Sequence, residues 1–314
     1  MNTISDPVFQ NEDKARAFLE TQRWPDGPVC PFCGQLETVA ALPSEGSLGK
    51  GWYHCRDCRQ KFTVRVGTLY ERSHIPLHKW LLATHLLCAS KKGMSAHQLG
   101  RMLGITYKSA WFMAHRIREG MAPAKASPLG GEGKTVEADT TYIGGKEKNK
   151  HLGKRSVKNI GGAGKQIVHT LVERGGRARS NHIANISGKT LRPVVMKQVS
   201  RKSTLMTDTA GGYFDLGKEF VRHEMVNHEA NEYVRGDAHS NTVESYFATL
   251  KRGIVGTYHN ISEAHLKRYL AEFDFRYNER TALGVDDSER MEKALKGIEG
   301  KRLTYRRIDQ AANA

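Results

Sequence analysis

The stretch KTVEADTTYIGG, residues 134–145, decides the fold because its side chains alternate in polarity before two glycines end the pattern. Successive side chains of a β-strand point to opposite faces, so Val136 and Ala138 share one face. Glu137 and Asp139 share the other. The stretch therefore predicts a strand that carries two carboxylates on one face.

The residues that follow predict four more strands and a helix. Segment 165–186, KQIVHTLVERGGRARSNHIANI, gives two strands across a Gly-Gly turn, which is a strong hairpin signal. Segment 189–200 predicts a helix that opens with Pro193 in its first turn. Segment 203–213 predicts a short strand that ends at Asp208, and residues 219–226 predict a fifth strand.

Two helices come next, HSNTVESYFATLKRG at 239–253 and a second at 261–280 that Ser262 caps. Three strands, a helix, a strand and then helices is the order of a ribonuclease H-like α/β domain. At about 100° per residue, Glu244, Ala248 and Lys251 share one face of the first helix. Taken alone, this charged line would be ordinary solvated surface. A neighbouring face is apolar and carries Val243, Phe247, Leu250 and Ile254.

Three acids are candidate site residues because of the elements that carry them. Asp139 lies in the first strand, Asp208 at the end of the fourth, and Glu244 in the helix. In a ribonuclease H-like domain these two strands are central neighbours and a later helix packs over their ends. Two carboxylates about 4 Å apart repel by roughly 4 kcal/mol at an effective dielectric of about 20. Such a cluster persists only if it is protonated or holds cations. Oxygen ligands suit Mg²⁺ or Mn²⁺, and two such ions can hold both oxygens of a phosphodiester displacement.

Other readings of these residues stay open. Each acid alone is more simply a salt-bridged surface group, and Glu137 is a rival metal ligand. Three histidines lie near the same elements, His223, His228 and His239, and the last is closest to the helix start. Surface or cap roles fit them equally well.

Four of the five cysteines form the pairs CPFC, with Cys30 and Cys33, and CRDC, with Cys55 and Cys58. Residues 34–54 separate the pairs, close to the usual spacing of a four-cysteine zinc site. Four thiolates leave no open position for water, so the Zn²⁺ would be structural. Two disulfides are the alternative, which a reducing cytoplasm disfavours. Cys88 lies in an apolar helix and is expected in the core.

A formal net charge of +16 predicts a polyanionic partner, most simply nucleic acid. No apolar run approaches the roughly 20 residues that cross a bilayer. The first residues lack the charged and apolar regions of a signal peptide. We therefore expect a cytoplasmic protein with no membrane partner.

Residues 93–121 predict two short helices across a glycine turn, with Ser95 and Thr106 as caps and Gly104 as the stop. This pattern is typical of a helix-turn-helix, and a plain helical hairpin is the alternative. The second helix would present Tyr107, Lys108 and Ser109 near its start, where contacts to base edges are made.

A loop between the first two strands, residues 144–165, holds seven basic residues, six glycines and one acid. It suits phosphate contact, although a merely solvated loop has the same composition. The candidate DNA contacts there are Lys148, Lys150, Lys154 and Arg155.

These motifs together resemble a bacterial insertion-sequence transposase that joins an N-terminal zinc ribbon to an ISXO-type DDE catalytic domain. The resemblance rests on CPFC with CRDC and KFTVRVGT, on VEADTTYIGG, on LMTDTAGGY, and on HSNTVESYFATLKRGIVGTYHNIS. It covers about residues 20 to 280. It implies that Asp139, Asp208 and Glu244 bind two Mg²⁺ or Mn²⁺ ions, and that Lys251 is the basic residue seven positions after the third acid. Asn241, one turn before Glu244, is an alternate, and Lys251 and Arg252 would contact DNA.

The resemblance also implies a reaction and an organisation. A metal-activated water would hydrolyse DNA at the element's terminal inverted repeats, and the released 3′-hydroxyl would attack target DNA. The expected domains are an N-terminal helix (1–22), a zinc ribbon (23–72), a helix-turn-helix domain (73–121), a linker (122–133), the ribonuclease H-like catalytic domain (134–280), and a C-terminal helix with a basic tail (281–314).

Pairing two DNA ends calls for a homodimer or higher oligomer, in a bacterial cytoplasm and associated with the nucleoid. A domesticated DNA-binding protein without transposition and a ribonuclease H-like nuclease are the alternatives.

Overall fold

The computed structural model describes residues 4–45, 48–123, 126–145, 149–155, 162, 164–227, 230, 232 and 234–304. The chain divides into two compact units. One comprises Met1–Pro123 with Gly284–Ala314, and the other comprises Ala124–Leu283.

The first unit combines a small sheet with helices. Its antiparallel sheet has the order β1-β2-β3 and consists of β1 (Val39–Ala41), β2 (Trp52–Cys55) and β3 (Lys61–Thr63). Its helices are α1 (Glu12–Arg23), α2 (Leu77–Ala89), α3 (Ala96–Leu103), α4 (Tyr107–Met121) and α8 (Asp287–Lys296). The last of these comes from the C-terminal part of the chain, and it packs against α2.

The ends of α3 and α4 follow from single residues that the sequence identified. Ser95 Oγ accepts from Gln98 N at 3.2 Å, and Thr106 Oγ1 accepts from Ser109 N at 3.3 Å, so each hydroxyl satisfies a helix N–H. Gly104 ends α3 with φ +60°, a left-handed conformation that suits glycine. The predicted pair of helices across a glycine turn is confirmed.

The second unit is a mixed α/β domain around a five-stranded sheet of order β6-β5-β4-β7-β8. The strands β4, β5 and β6 are antiparallel neighbours, whereas β7 runs parallel to β4 and β8 runs parallel to β7. All five predicted strands are present: β4 (Thr135–Ile143), β5 (Gln166–Glu173), β6 (Ala178–Ile183), β7 (Thr204–Asp208) and β8 (Arg222–Val226). A two-stranded ribbon, β9 (Val234–Arg235) with β10 (Ala238–His239), precedes the next helix. This arrangement is consistent with a ribonuclease H-like transposase domain.

Helices cover both faces of the sheet. On one face lie α6 (Asn241–Gly253) and α7 (Glu263–Asn278), whose apolar residues share a core with Val168 and Val172 of β5. On the other lie α5 (Gly188–Gln198) and the 3-10 segment Gly211–Glu219, which pack with Val136 and Ala138. The alternation in β4 places Glu137 and Asp139 on the face opposite Val136 and Ala138, as predicted, and this is the face that α6 covers.

Two local expectations need correction or comment. The helix α5 begins at Gly188, so Pro193 lies inside the helix and not in its first turn. Leu129, within the segment expected to be a linker, is fully buried in the core of the second unit. Its backbone bonds to Gln198 and Ser200 hold it there, at 2.7 and 2.8 Å. Among the described residues, no helix is long and apolar enough to span a membrane.

Candidate active site

Neighbouring parallel strands bring Asp139 and Asp208 together. Glu137 is the register partner of Met206, and Ala138 is the partner of Thr207. The next step along both strands reaches Asp139 and Asp208, whose backbones would therefore lie about 5 Å apart. Both side chains are half-buried.

The charges of two other acids affect the pKa of Asp139. Burial raises its pKa to about 7, and the charges of Asp208 and Glu244 add to the rise. The backbone N–H of Thr140, which donates to Asp139 Oδ1 at 2.6 Å, and the Lys251 ammonium oppose the rise. Burial and the two acids therefore raise the pKa of Asp139 more than Thr140 and Lys251 lower it.

Glu244 and Lys251 lie on the exposed face of helix α6. Glu244, Ala248 and Lys251 are exposed, while Val243, Phe247 and Leu250 are buried against the sheet. The two faces predicted for this helix are thus both present, together with the buried Ile254 directly after it. Ser240 Oγ donates to Glu244 Oε1 at 3.0 Å. Asn241, the first residue of the helix, is exposed.

The three carboxylates interact through space without closing into a tight ligand cluster. Within the described parts of the chain, the four cysteines are the one set of three or more His, Cys, Asp or Glu residues whose ligand atoms all lie within 4.8 Å of one another. An all-oxygen set nevertheless fits Mg²⁺ or Mn²⁺, because a divalent ion would offset the repulsion that contributes to the raised pKa of Asp139.

Glu137, which the sequence suggested as a rival metal ligand, makes a different set of contacts. Its side chain is fully buried, and its two oxygens accept from the backbone N–H groups of Thr242 and Val243 and from Arg174 Nε. Both oxygens are therefore engaged at the start of α6, which argues against Glu137 as a metal ligand.

Two buried groups near the acids escaped the sequence reasoning. Tyr213 is fully buried, and burial together with the charges of Asp139 and Asp208 raises its pKa well above the usual range. In the described residues its hydroxyl has no hydrogen-bond partner. His169 on β5 lies 6.1 Å from it, ring centre to ring centre, and burial lowers the histidine pKa to about 4. The only sequence signal was the position of Tyr213 at the end of LMTDTAGGY.

The other histidines serve local contacts. His223 Nε2 lies 2.9 Å from Thr207 Oγ1, and His239 Nδ1 lies 3.3 Å from Glu137 Oε1. His228 lies outside the described residues.

The residues expected to contact DNA occupy several exposed positions. Tyr107 is 47% exposed at the start of α4 and stacks on His97 at 4.1 Å, beside the exposed Lys108 and the half-buried Ser109. In the 144–165 loop Lys150 and Arg155 are exposed, whereas Lys148 and the side chain of Lys154 lie outside what the structure describes. On α6, Lys251 and Arg252 are both exposed.

The cysteine cluster forms as predicted. Cys30 Sγ lies 3.5 Å from Cys58 Sγ, and Cys33 Sγ lies 3.5 Å from Cys55 Sγ, with no disulfide among them. Four sulfurs about 2.3 Å from one Zn²⁺ would be about 3.8 Å apart, so the cluster fits a tetrahedral ion. The backbone N–H of Cys58 lowers the pKa of the Cys55 thiol to about 6, with help from Cys33 and Thr38.

Two family models match these two parts of the chain. The transposase zinc-ribbon domain matches residues 10–61, and the ISXO2-like transposase domain matches residues 128–278. The chain belongs to this family of insertion-sequence transposases. The first match includes the four clustered cysteines, and the second includes the sheet with Asp139 and Asp208 and the helix with Glu244.

One relative agrees with the family. An uncharacterized protein in transposable element ISH50 of Halobacterium salinarum is 28% identical over 280 residues, which is 86% of this chain and 92% of that protein. A solved structure of a simian T-cell lymphotropic virus intasome with a PP2A regulatory subunit, B56 gamma, is 14% identical. It covers 60% of this transposase and 66% of its own chain at a TM-score of 0.28, which does not establish a shared fold.

Proposed function

We propose that this protein is a DDE-type DNA transposase that hydrolyses the phosphodiester at the ends of its element and then joins the 3′-hydroxyl to target DNA. One observation carries the proposal. In a domain that matches the ISXO2-like transposase model, burial and the charges of Asp208 and Glu244 raise the pKa of Asp139 to about 7. A carboxyl whose pKa is raised by burial and by two neighbouring acids is typical of a functional site, and here it supports a site that binds cations.

The residues divide the work by chemistry. Two Mg²⁺ or Mn²⁺ ions would supply activation of the attacking oxygen and stabilisation of the leaving oxygen. Asp139, Asp208 and Glu244 hold those ions as carboxylates, so Asp139 must lose its proton. Lys251 places a point charge on the adjacent phosphate. Asn241 supports Glu244 at the start of the helix, and no protein nucleophile takes part.

DNA would be held by several basic surfaces. In the proposal, α3 and α4 form a helix-turn-helix that reads the terminal inverted repeats through Tyr107, Lys108 and Ser109. The basic loop and Arg252 contact phosphates. The formal charge of +16 supports this role, because each neutralised phosphate releases counterions. A homodimer or larger oligomer pairs the two ends, and the substrate places the protein at the nucleoid of the cytoplasm.

A strand-joining assay tests the proposal. Purified protein is incubated with Mg²⁺ or Mn²⁺, a labelled duplex carrying its own element's end, and a target plasmid. We expect end nicking followed by joined products, and Asp208→Ala abolishes both while it spares binding of the end. Full activity of Asp208→Ala would refute the site assignment. Nicking without joining would favour a nuclease, and binding without nicking would favour a domesticated DNA-binding protein.

A further inference from the structure

A carboxylate from a distant strand caps the helix that carries Glu244. Glu137 Oε2 accepts from Thr242 N at 2.8 Å and from Val243 N at 2.9 Å. Glu137 Oε1 accepts from Thr242 Oγ1 at 2.9 Å and from Arg174 Nε at 2.6 Å. Because the first N–H groups of a helix have no partner within it, Glu137 performs the role usually given to the cap residue's own side chain. Its negative charge also suits the positive end of the helix dipole.

The cap residue itself is thereby released for another contact. Ser240 precedes α6 and is fully buried, yet its side chain makes no capping bond to the helix. Its hydroxyl instead donates to Glu244 Oε1 at 3.0 Å. The Glu137 carboxylate on β4 therefore takes the place of the Ser240 side chain as the helix cap. The Ser240 hydroxyl instead orients Glu244.

Arg174 links Glu137 to the segment that leads into α6. Besides Glu137, its guanidinium donates to the carbonyl oxygens of Asp237 and His239, at 2.9 and 3.0 Å. The segment that leads into α6 is thus held by the same group that pairs with the capping carboxylate. A buried carboxylate is stable only when it is paired and hydrogen-bonded, and these contacts meet that condition.

We propose that Glu137 and Ser240 are positioning residues that set Glu244 against Asp139 before any cation binds; this inference rests on the proposed function. Asp139 lies two residues beyond Glu137 on the same strand face, about 7 Å along β4. Glu244 lies two residues beyond Thr242, which Glu137 holds. The route from one acid to the other is therefore short, and it runs through Glu137. Preorganised supporting contacts of this kind typically change metal affinity by about 10–100-fold.

Binding of Mn²⁺ to the full-length, zinc-loaded protein tests this inference without any turnover. Ser240→Ala removes the donor to Glu244 and leaves the Glu137 cap in place, and we expect Mn²⁺ to bind about tenfold more weakly. Glu137→Gln keeps the size of the side chain but removes its charge, and we expect at least the same loss. Ser245→Ala, an exposed serine on the same helix, is the matched control and should bind as the parent does.

A double-variant comparison separates positioning from general damage. In a Glu244→Gln background, Ser240→Ala should have no further effect on Mn²⁺ affinity, since the serine acts through Glu244. An equal loss in both backgrounds would contradict the inference, as would parental affinity in Ser240→Ala. If Glu137→Gln does not fold, the comparison of Ser240→Ala in the parent and Glu244→Gln backgrounds still tests the inference. If the parent shows no Mn²⁺ site that Asp208→Asn removes, the proposed function itself fails, and the inference falls with it.

Discussion

Asp139 and Asp208 come directly after the register partners Ala138 and Thr207 on adjacent parallel strands, so the two carboxylates emerge side by side at the centre of the sheet. Burial and the charge of Asp208 raise the pKa of Asp139 to about 7. In the proposed function, a cation that binds this pair would displace the proton of Asp139 near neutral pH.

Cation affinity should therefore depend on pH. Below about pH 7 a proton competes for Asp139, so the apparent affinity for Mn²⁺ should fall up to tenfold for each unit of acidification and level off above pH 8. Spectroscopic titration of Mn²⁺ between pH 5.5 and 8.5 measures this. An affinity that does not change across that range would show that Mn²⁺ does not displace a proton from Asp139.

The same pKa predicts how stability changes. The pKa of Asp139 is higher in the folded chain than the value of about 3.9 in an unfolded one. The stability that protonated Asp139 gives to the folded chain is therefore fully present below about pH 4 and is lost as the pH rises through 7. Without added Mg²⁺ or Mn²⁺, Asp139→Asn should raise the melting temperature at pH 8 and have a smaller effect at pH 5. A destabilising effect at pH 8 would contradict the raised pKa of Asp139.

Zinc should be structural and separable from the second unit's chemistry. Cys55→Ser should lose the single bound zinc and the thermal transition of the ribbon, because metal binding and folding are coupled in such sites. Cys88→Ala is the control, since Cys88 is buried away from the cluster, and it should retain one zinc per chain. Zinc analysis by mass spectrometry measures both, and a full zinc content in Cys55→Ser would exclude the four-sulfur site.

Recognition of the element's end should depend on the start of α4. Tyr107→Ala should weaken binding to the terminal repeat by about 1–3 kcal/mol and leave binding to unrelated duplex nearly unchanged, since a base contact carries the sequence preference. Lys14→Ala, an exposed lysine of α1, serves as the charge control. Fluorescence anisotropy with both duplexes at fixed salt tests this. Equal losses on both duplexes would assign Tyr107 to the backbone instead.

The sequence predicted those parts of the site that local patterns determine. Alternation identified β4, the glycines after Asp208 marked the end of β7, and a period of about 3.6 residues separated Glu244 and Lys251 from the buried side of α6. These rules depend on residues a few positions apart, and for this reason they could be applied without coordinates.

Contacts between distant residues were beyond such reasoning. Nothing local shows that Glu137 caps a helix more than 100 residues later, or that the Tyr213 hydroxyl is buried beside two acids. The C-terminal region offers a similar case. The sequence suggested only a polar helix there, but α8 buries Met291 and Leu295, and Arg290 Nη1 donates to the carbonyl of Cys88 at 3.0 Å.

The central claim is that Asp139, Asp208 and Glu244 hold the cations that act on DNA. Anomalous diffraction from crystals of the protein with its element's end and Mn²⁺ tests it most directly. We expect anomalous peaks about 2.0–2.3 Å from carboxylate oxygens of Asp139 and Asp208, with Glu244 beside them and the scissile phosphate adjacent. Peaks absent from this site, or bound at Glu137, would contradict it.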